Sequence, residues 1–301
     1  MRPYLRINPI IINQRIILMK KYLFLCLLLM SAAAWGEIRV TDTDGETLPY
    51  ASVKALSKEA GVLTDSLGVI KRPKGIESAD TVVVSYPGYS RAVLTWGDLE
   101  ARGGVALTDK GISLPTVTKL PEKIKRVVKG KKHHGGVHIA TMGEDSTVVN
   151  WSNGYEFHAK DGKKYLLSKV GFHYDDKKDV KPMQRMRFRL QVYDMGDVRS
   201  IDEFHYDKFE PVGQPIYIDY VRNEADKGKF VYKLSEFIEL PRNSMVAMEI
   251  VDKFADDQKW TFRSNVFGKS CWTKHERTPG EKWFKFLLGS PFFMEALEVN
   301  E

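Results

Sequence analysis

The chain has two cysteines, Cys26 and Cys271, too few for a disulfide framework, so its folded parts must hold by packing. The first 36 residues contain no acid: five of the 46 basic residues and none of the 39 acidic ones fall there. The remainder therefore carries a formal charge of +2 rather than +7, which removes the nucleic-acid signal that the whole-chain charge suggests. No apolar run reaches the ~20 residues that a membrane-spanning helix needs. A glycine-rich phosphate loop, a nucleophile elbow and a dinucleotide fingerprint are all missing as well. These absences leave a folded, water-facing chain without a recognisable catalytic motif.

The acid-free start has an order of its own. Lys20 and Lys21 precede an apolar core from Tyr22 to Met30, and Ala34-Trp35-Gly36 supplies a small-x-small cleavage site before Glu37. That pattern predicts a secretory signal peptide, with Met19 as the natural first residue and residues 1–18 as an upstream extension. Cys26 follows Leu25 inside the apolar run, which does not fit a lipoprotein cysteine. Cleavage would leave Cys271 alone, between Ser270 and Trp272, as a small buried hydrophobe.

From Glu37 to Thr118 short β runs alternate with turn residues. "TVVVSY" (81–86) is rich in β-branched residues, and "LPYASVKAL" alternates Ala51, Val53 and Ala55 against Tyr50, Ser52 and Lys54. Asp44-Gly45 is a hairpin signal. In "TDSLG", Asp65 can bond nearby backbone N–H groups while Gly68 supplies a positive φ, and Pro87-Gly88 marks a further turn. The succession "LPYASV", "TDSLG" and "DTVVVSYPGYS" resembles the carboxypeptidase regulatory-like domain family. The resemblance covers residues 37–118 and implies a prealbumin-like sandwich of seven strands. It assigns Pro49, Ala51, Val53, Asp65, Gly68, Pro87, Gly88 and Tyr89 to turns and core, and no catalytic residue to this chain. A zinc carboxypeptidase would also need a close His and Glu pair with a distant His. None of the seven histidines begins a His-x-x-Glu, so the accessory module is present without its peptidase.

Residues 119–140 carry Lys119, Lys123, Lys125, Arg126, Lys129, Lys131 and Lys132 against Glu122, which predicts a solvated basic linker. From residue 141 to 301 the pattern is β again. In "MQRMRFRLQVYD" Met186, Phe188, Leu190 and Val192 alternate with Arg187, Arg189, Gln191 and Tyr193, the period of a strand with one wet face. "KFVYKL", "SMVAMEIVD", "KWTFRS" and "FFMEALEV" add strands, with turns at Asp226-Lys227-Gly228 and Pro241-Arg242-Asn243. The expected architecture is all-β, a second sandwich of jelly-roll type behind the first. "RFRLQVYD" and "SMVAMEIVD" give this half a resemblance to sandwiches that follow regulatory-like domains in exported Gram-negative envelope proteins.

Candidate chemistry is sparse. His133, His134 and His138 cluster in "KKHHGGVH", but two glycines break any helix and two lysines repel a cation. Asp175, Asp176 and Asp179, and Asp252, Asp256 and Asp257, read as charged turns rather than calcium loops. No metal and no cofactor is expected. Trp272 and Trp283 flank the polar loop "TKHERTPGEK" and are the candidates for stacking on sugar rings, although tryptophans in a sandwich usually fill the core. The expectation is a non-catalytic exported cell-envelope protein, periplasmic or on the cell surface, with a binding, adhesion or scaffolding role. Its partner would be an envelope protein or a glycan. The alternatives are a carbohydrate-binding module using those aromatics, or a hydrolase with a convergent site.

Overall fold

The computed structural model describes residues 37–58, 60–111, 116–117, 124–130, 137–142, 150–174, 182–197, 205–206, 208–253, 260–264, 271–276, 282–286 and 291–300. They form a nearly all-β molecule. The leader at 1–36, His133 and His134, and Asp175, Asp176, Asp179, Asp256 and Asp257 lie outside these residues.

The first sandwich faces a three-stranded sheet against a four-stranded one. In the smaller sheet β1 (Ile38–Asp42) is central, antiparallel to β4 (Val69–Ile70) and parallel to β7 (Gly104–Leu107). The larger runs β3 (Gly61–Leu63), β2 (Ser52–Ala55), β5 (Thr81–Ser85) and β6 (Ala92–Thr95) in that order. Period-two alternation puts Val53, Ala55, Val82 and Val84 inside, where they meet Val40, Ile70 and Leu107. An element that the β pattern does not announce, α1 (Trp96–Ala101), closes this core with Trp96 and Leu99. Its N-cap is Thr95, whose Oγ1 accepts from the Asp98 amide at 3.0 Å.

The turn at 64–68 forms as its chemistry dictates. Asp65 Oδ1 accepts from the amides of Leu67 (2.8 Å) and Val69 (2.9 Å), while the buried Thr64 hydroxyl accepts from Ala51 and donates to the Leu48 carbonyl. Gly68 adopts φ +72°, and a Cβ there would lie 3.0 Å from Thr47 Cβ and from Val40 O.

The second sandwich packs a seven-stranded sheet on a five-stranded one. The seven run β14 (His205–Tyr206), β20 (Trp283–Phe286), β19 (Cys271–Glu276), β11 (Asn150–His158), β17 (Asn243–Lys253), β13 (Arg185–Asp194) and β15 (Glu210–Val221). The five run β8 (Thr116–Val117), β16 (Lys229–Glu239), β12 (Lys163–His173), β21 (Phe292–Asn300) and β9 (Lys125–Lys129). A separate ribbon pairs β10 (Val137–Met142) with β18 (Trp260–Ser264). Phe157, Phe172, Phe188, Leu190, Ile218, Met248, Phe292 and Met294 fill the space between the sheets, each worth ~1.5–3 kcal/mol of burial. Cys271 is buried in the same core.

Two expectations change here. Thr116–Val117 pairs with Phe237–Ile238 of β16, and Lys125–Lys129 pairs with Met294–Glu298 of β21. The chain therefore enters the second sandwich before residue 119, and residues 125–129 of the presumed linker are an edge strand. Charged side chains suit such an edge, where they discourage further strand pairing. The second change is on β13, whose supposedly wet face is covered: Arg189, Gln191 and Tyr193 are buried.

Candidate functional site

Over Arg187 and Arg189 the cover on β13 is the first sandwich, while Tyr193 lies against Phe209 and Trp283 of the second, and register explains how charges come to lie beneath the first. Arg189 is opposite Tyr217 of β15 on one side and Glu249 of β17 on the other. Arg187 is likewise flanked by Asp219 and Asp252. Cross-strand neighbours share one face of a sheet, so these side chains form two short polar rows on its outer side. In the first row Arg189 Nη2 meets Glu249 Oε2 at 2.6 Å, and Tyr193 donates its hydroxyl to Glu249 Oε1. In the second, Arg187 grips Asp219 through two bonds of 2.6 and 2.9 Å.

The first sandwich contributes a turn and a tyrosine pair. Tyr50 adopts φ +58°, a left-handed conformation that costs ~1–3 kcal/mol for a residue with a Cβ. In that turn two successive carbonyls meet the rows: Pro49 O accepts from the Tyr217 hydroxyl at 2.9 Å and Tyr50 O accepts from Arg189 Nη1 at 3.1 Å. The Tyr50 hydroxyl accepts from Arg187 Nη1 and donates to Asp252 Oδ2, both at 3.2 Å. Tyr86 and Tyr217 share a hydrogen bond of 3.1 Å. Next to them the Gly88 turn, at φ +83°, comes so close to β15 that a Cβ would lie 3.4 Å from Gly213 O. Gln214 lies near enough to Tyr89 to favour its ionised form against burial, and Lys110 faces Glu210 at 3.7 Å on the rim.

The electrostatics follow from burial. Desolvation pushes the Glu249 carboxyl up, but Arg189, Lys274 and the Tyr193 hydroxyl together hold it below its ordinary range. Burial opposes the charge on Arg189, and Glu249 more than restores it, so the guanidinium stays protonated. Burial raises the hydroxyls of Tyr193, Tyr217, Tyr86 and Tyr50, so all four remain neutral hydrogen-bonding groups. Arg187 holds Asp219 below its usual value.

The far end of the same outer face carries the aromatic residues, and the stacking expectation fails there. Trp272 and Trp283 are 1% and 4% exposed. They pack edge-on against Phe209, with ring centroids 5.3 and 6.2 Å away, and Trp283 also meets Tyr193. Neither indole offers a flat face to a sugar. Trp272 Nε1 donates to Glu156 Oε1 at 2.6 Å, so even its polar edge is engaged. Glu156 Oε2 lies 3.4 Å from His158 Nε2, whose Nδ1 is 3.1 Å from Asn243 Oδ1. Among the described residues no serine, threonine or cysteine bonds His158, and no group of three metal-ligating side chains forms. His138, Trp151 and Trp260 are placed by backbone in β10, β11 and β18.

The residues picked out by sequence thus divide. Ala51 and Val53 are core, and Asp65 and Gly68 shape their turn inside the first sandwich. Pro49, Gly88 and Tyr89 reach the interface, with Pro87 in the same turn. Tyr50, Tyr86, Arg189, Tyr217 and Glu249 escaped the sequence reading. Three arginines at alternate positions of "RMRFRLQVYD" and a lone glutamate within "SMVAMEIVD" were the available signal.

No family model matches this sequence, and no relative is found among curated proteins. Among solved structures it is similar, at 11% identity, to the cysteine protease and lectin-like domains of a surface layer associated protein of Clostridium difficile. That likeness covers 85% of this chain with a TM-score of 0.28. The chain spans 61% of that structure's length, and similarity this low carries no argument about fold or activity. Among the described residues no helix is long and apolar enough to cross a membrane.

Proposed function

We propose that the protein is a non-catalytic component of a bacterial cell envelope, exported behind the leader at 1–36, with a binding, adhesion or scaffolding role. On this reading the first sandwich is a carboxypeptidase regulatory-like module of prealbumin type, and the second is a jelly roll that it braces. The observation that carries the proposal is the interface between the two. Among the described residues, charged and hydroxyl groups of the second sandwich converge at Arg187, Arg189, Tyr217 and Glu249, and these are engaged with neighbours on their own sheet and with Pro49 and Tyr50. A catalytic site needs polar groups left open towards a cleft, whereas these hold one sandwich to the other. Three strands against four in the first sandwich, with turns at Asp65–Gly68 and Pro87–Gly88, support the regulatory-like assignment. Partners are an envelope protein or glycan, and no nucleic acid. The carbohydrate-binding alternative loses its basis in Trp272 and Trp283 because both are buried.

The test uses the chain from Glu37 to Glu301. It is mixed with purified envelope fractions and sedimented, and in parallel it is offered peptide, ester and glycoside substrates. Saturable co-sedimentation without turnover supports the proposal. Turnover of any of these substrates, or no retention by envelope material, overturns it.

A further inference from the structure

A second feature lies at one end of the second sandwich, away from the interface. The β11–β12 turn carries the chain from the seven-stranded to the five-stranded sheet, and the β16–β17 turn carries it back. Main-chain bonds tie the two together: Ala159 N donates to Arg242 O at 2.7 Å, and Leu240 N to Tyr165 O at 2.9 Å. Between them is an open cleft of about 560 Å³, walled by residues 159–164 and 239–242. Its charges are Lys160, Lys163, Lys164 and Arg242 against Asp161 and Glu239. Lys125 and Glu298 of the neighbouring strands lie within reach of Lys160 and Lys163 and offset each other, so the excess of cations comes from the turns themselves.

From this geometry we infer a binding site for an acidic saccharide, one carrying carboxylate or phosphate groups. The inference deepens the binding role proposed above and rests on it. Three properties fix the ligand class. The excess of cations selects an anion. The pairs already present, Lys164 with the half-buried Glu239 at 3.3 Å and the exposed Arg242 with Asp161, are open to solvent and therefore weak, so a ligand anion can replace either carboxylate. Once displaced, Asp161 and Glu239 become acceptors for hydroxyl groups, which a bare anion lacks and a sugar has. The volume falls within the range of about 300–1,000 Å³ seen for small-ligand sites, and loops at the end of a sandwich are where such folds place recognition. The main-chain ties between the turns hold the walls in place before binding, which lowers the ordering cost.

The test is calorimetric titration of the chain from Glu37 to Glu301 with three probes: a glucuronate-containing tetrasaccharide, a neutral tetrasaccharide of equal length, and inorganic phosphate. The expected result is binding of the acidic tetrasaccharide, weakened as salt rises from about 50 to about 300 mM. The variant carrying Lys160→Glu and Arg242→Glu should bind about tenfold or more weakly with its melting temperature unchanged. Equal binding of the neutral probe refutes the charge argument, and equal binding of phosphate refutes the saccharide. Binding unaffected by the double charge reversal places the ligand elsewhere and overturns the site. A chain that binds no probe yet still sediments with envelopes overturns the cleft and leaves the proposed function standing. One that does neither loses both.

Discussion

Replacing Arg189 by methionine keeps most of the side-chain volume and removes the cation beside Glu249. Glu249 is 2% exposed, and the variant leaves it with the Tyr193 hydroxyl and the charge of Lys274 as support. Breaking a buried pair by removing one partner costs about 3–5 kcal/mol. The surviving support places Arg189→Met near the lower end, about 3 kcal/mol, equivalent to roughly 6–12 °C in melting temperature for a chain of this size. Urea unfolding followed by circular dichroism measures it. Adding Glu249→Met should restore stability to within about 1–2 kcal/mol of the parent, because two apolar groups can fill a site from which both charges are gone. The pH dependence gives a second check. In the parent Glu249 is held below its ordinary value, so it contributes stability above a pH of about 4 that is lost as pH falls through the lowered value. Without Arg189, burial is less opposed and the carboxyl shifts upward, so the penalty shrinks as pH falls through that raised value. Acidification should therefore narrow the gap between parent and variant. The reasoning is refuted if Arg189→Met lies within about 1 kcal/mol of the parent, or if the double variant costs the sum of the two single ones.

Three further substitutions probe other parts of the argument. Gly68→Ala should lose about 1–3 kcal/mol in the same urea assay, because the position combines φ +72° with a Cβ 3.0 Å from Val40 O; a neutral effect would mean that the turn relaxes. Trp272→Ala should cost about 3–5 kcal/mol as a core deletion, whereas a loss under about 1 kcal/mol would mean that the indole faces solvent after all. Tyr217→Phe removes the hydroxyl shared by Pro49 O and Tyr86 and should cost about 1–2 kcal/mol. Protease cleavage between the sandwiches should also be faster in that variant, and an unchanged cleavage rate would refute the docking.

The elements legible in the sequence are those whose pattern arises locally. The turn at Thr64 to Gly68 is built from its own side chains, and in β5 the alternation of Val82 and Val84 fits a strand buried on one face. β11, β12 and β15 were not legible, for separate reasons. In β12 a bulge between Leu167 and Lys169 resets the phase, and Leu166 and Leu167 are both buried because they enter separate clusters on opposite faces of the sheet, so the period-two signal breaks. In β11 Gly154 interrupts the run, and Ser152 and Asn153 are both buried although they point to opposite faces. β15 contains Pro211, Gly213 and Pro215, which read as turn residues. They fit an edge strand whose register jumps from Leu190↔Ile216 to Val192↔Val212.

That jump bears directly on the interface. The extra residues of β15, Gly213 to Pro215, lie where the Gly88 turn of the first sandwich approaches most closely, so the irregularity that hid the strand also accommodates its neighbour. The same logic governs Arg189 and Glu249. A strand with one face in water and a strand with one face under another domain carry the same alternation, because period two records which side chains point together and not what lies above them. The cover comes from Pro49 and Tyr50, some 140 residues earlier in the chain. What separates the two cases is the pairing of an arginine at one outward position with a glutamate in an apolar strand. Such charges are stable under cover only when matched, and the match exists only in the folded register.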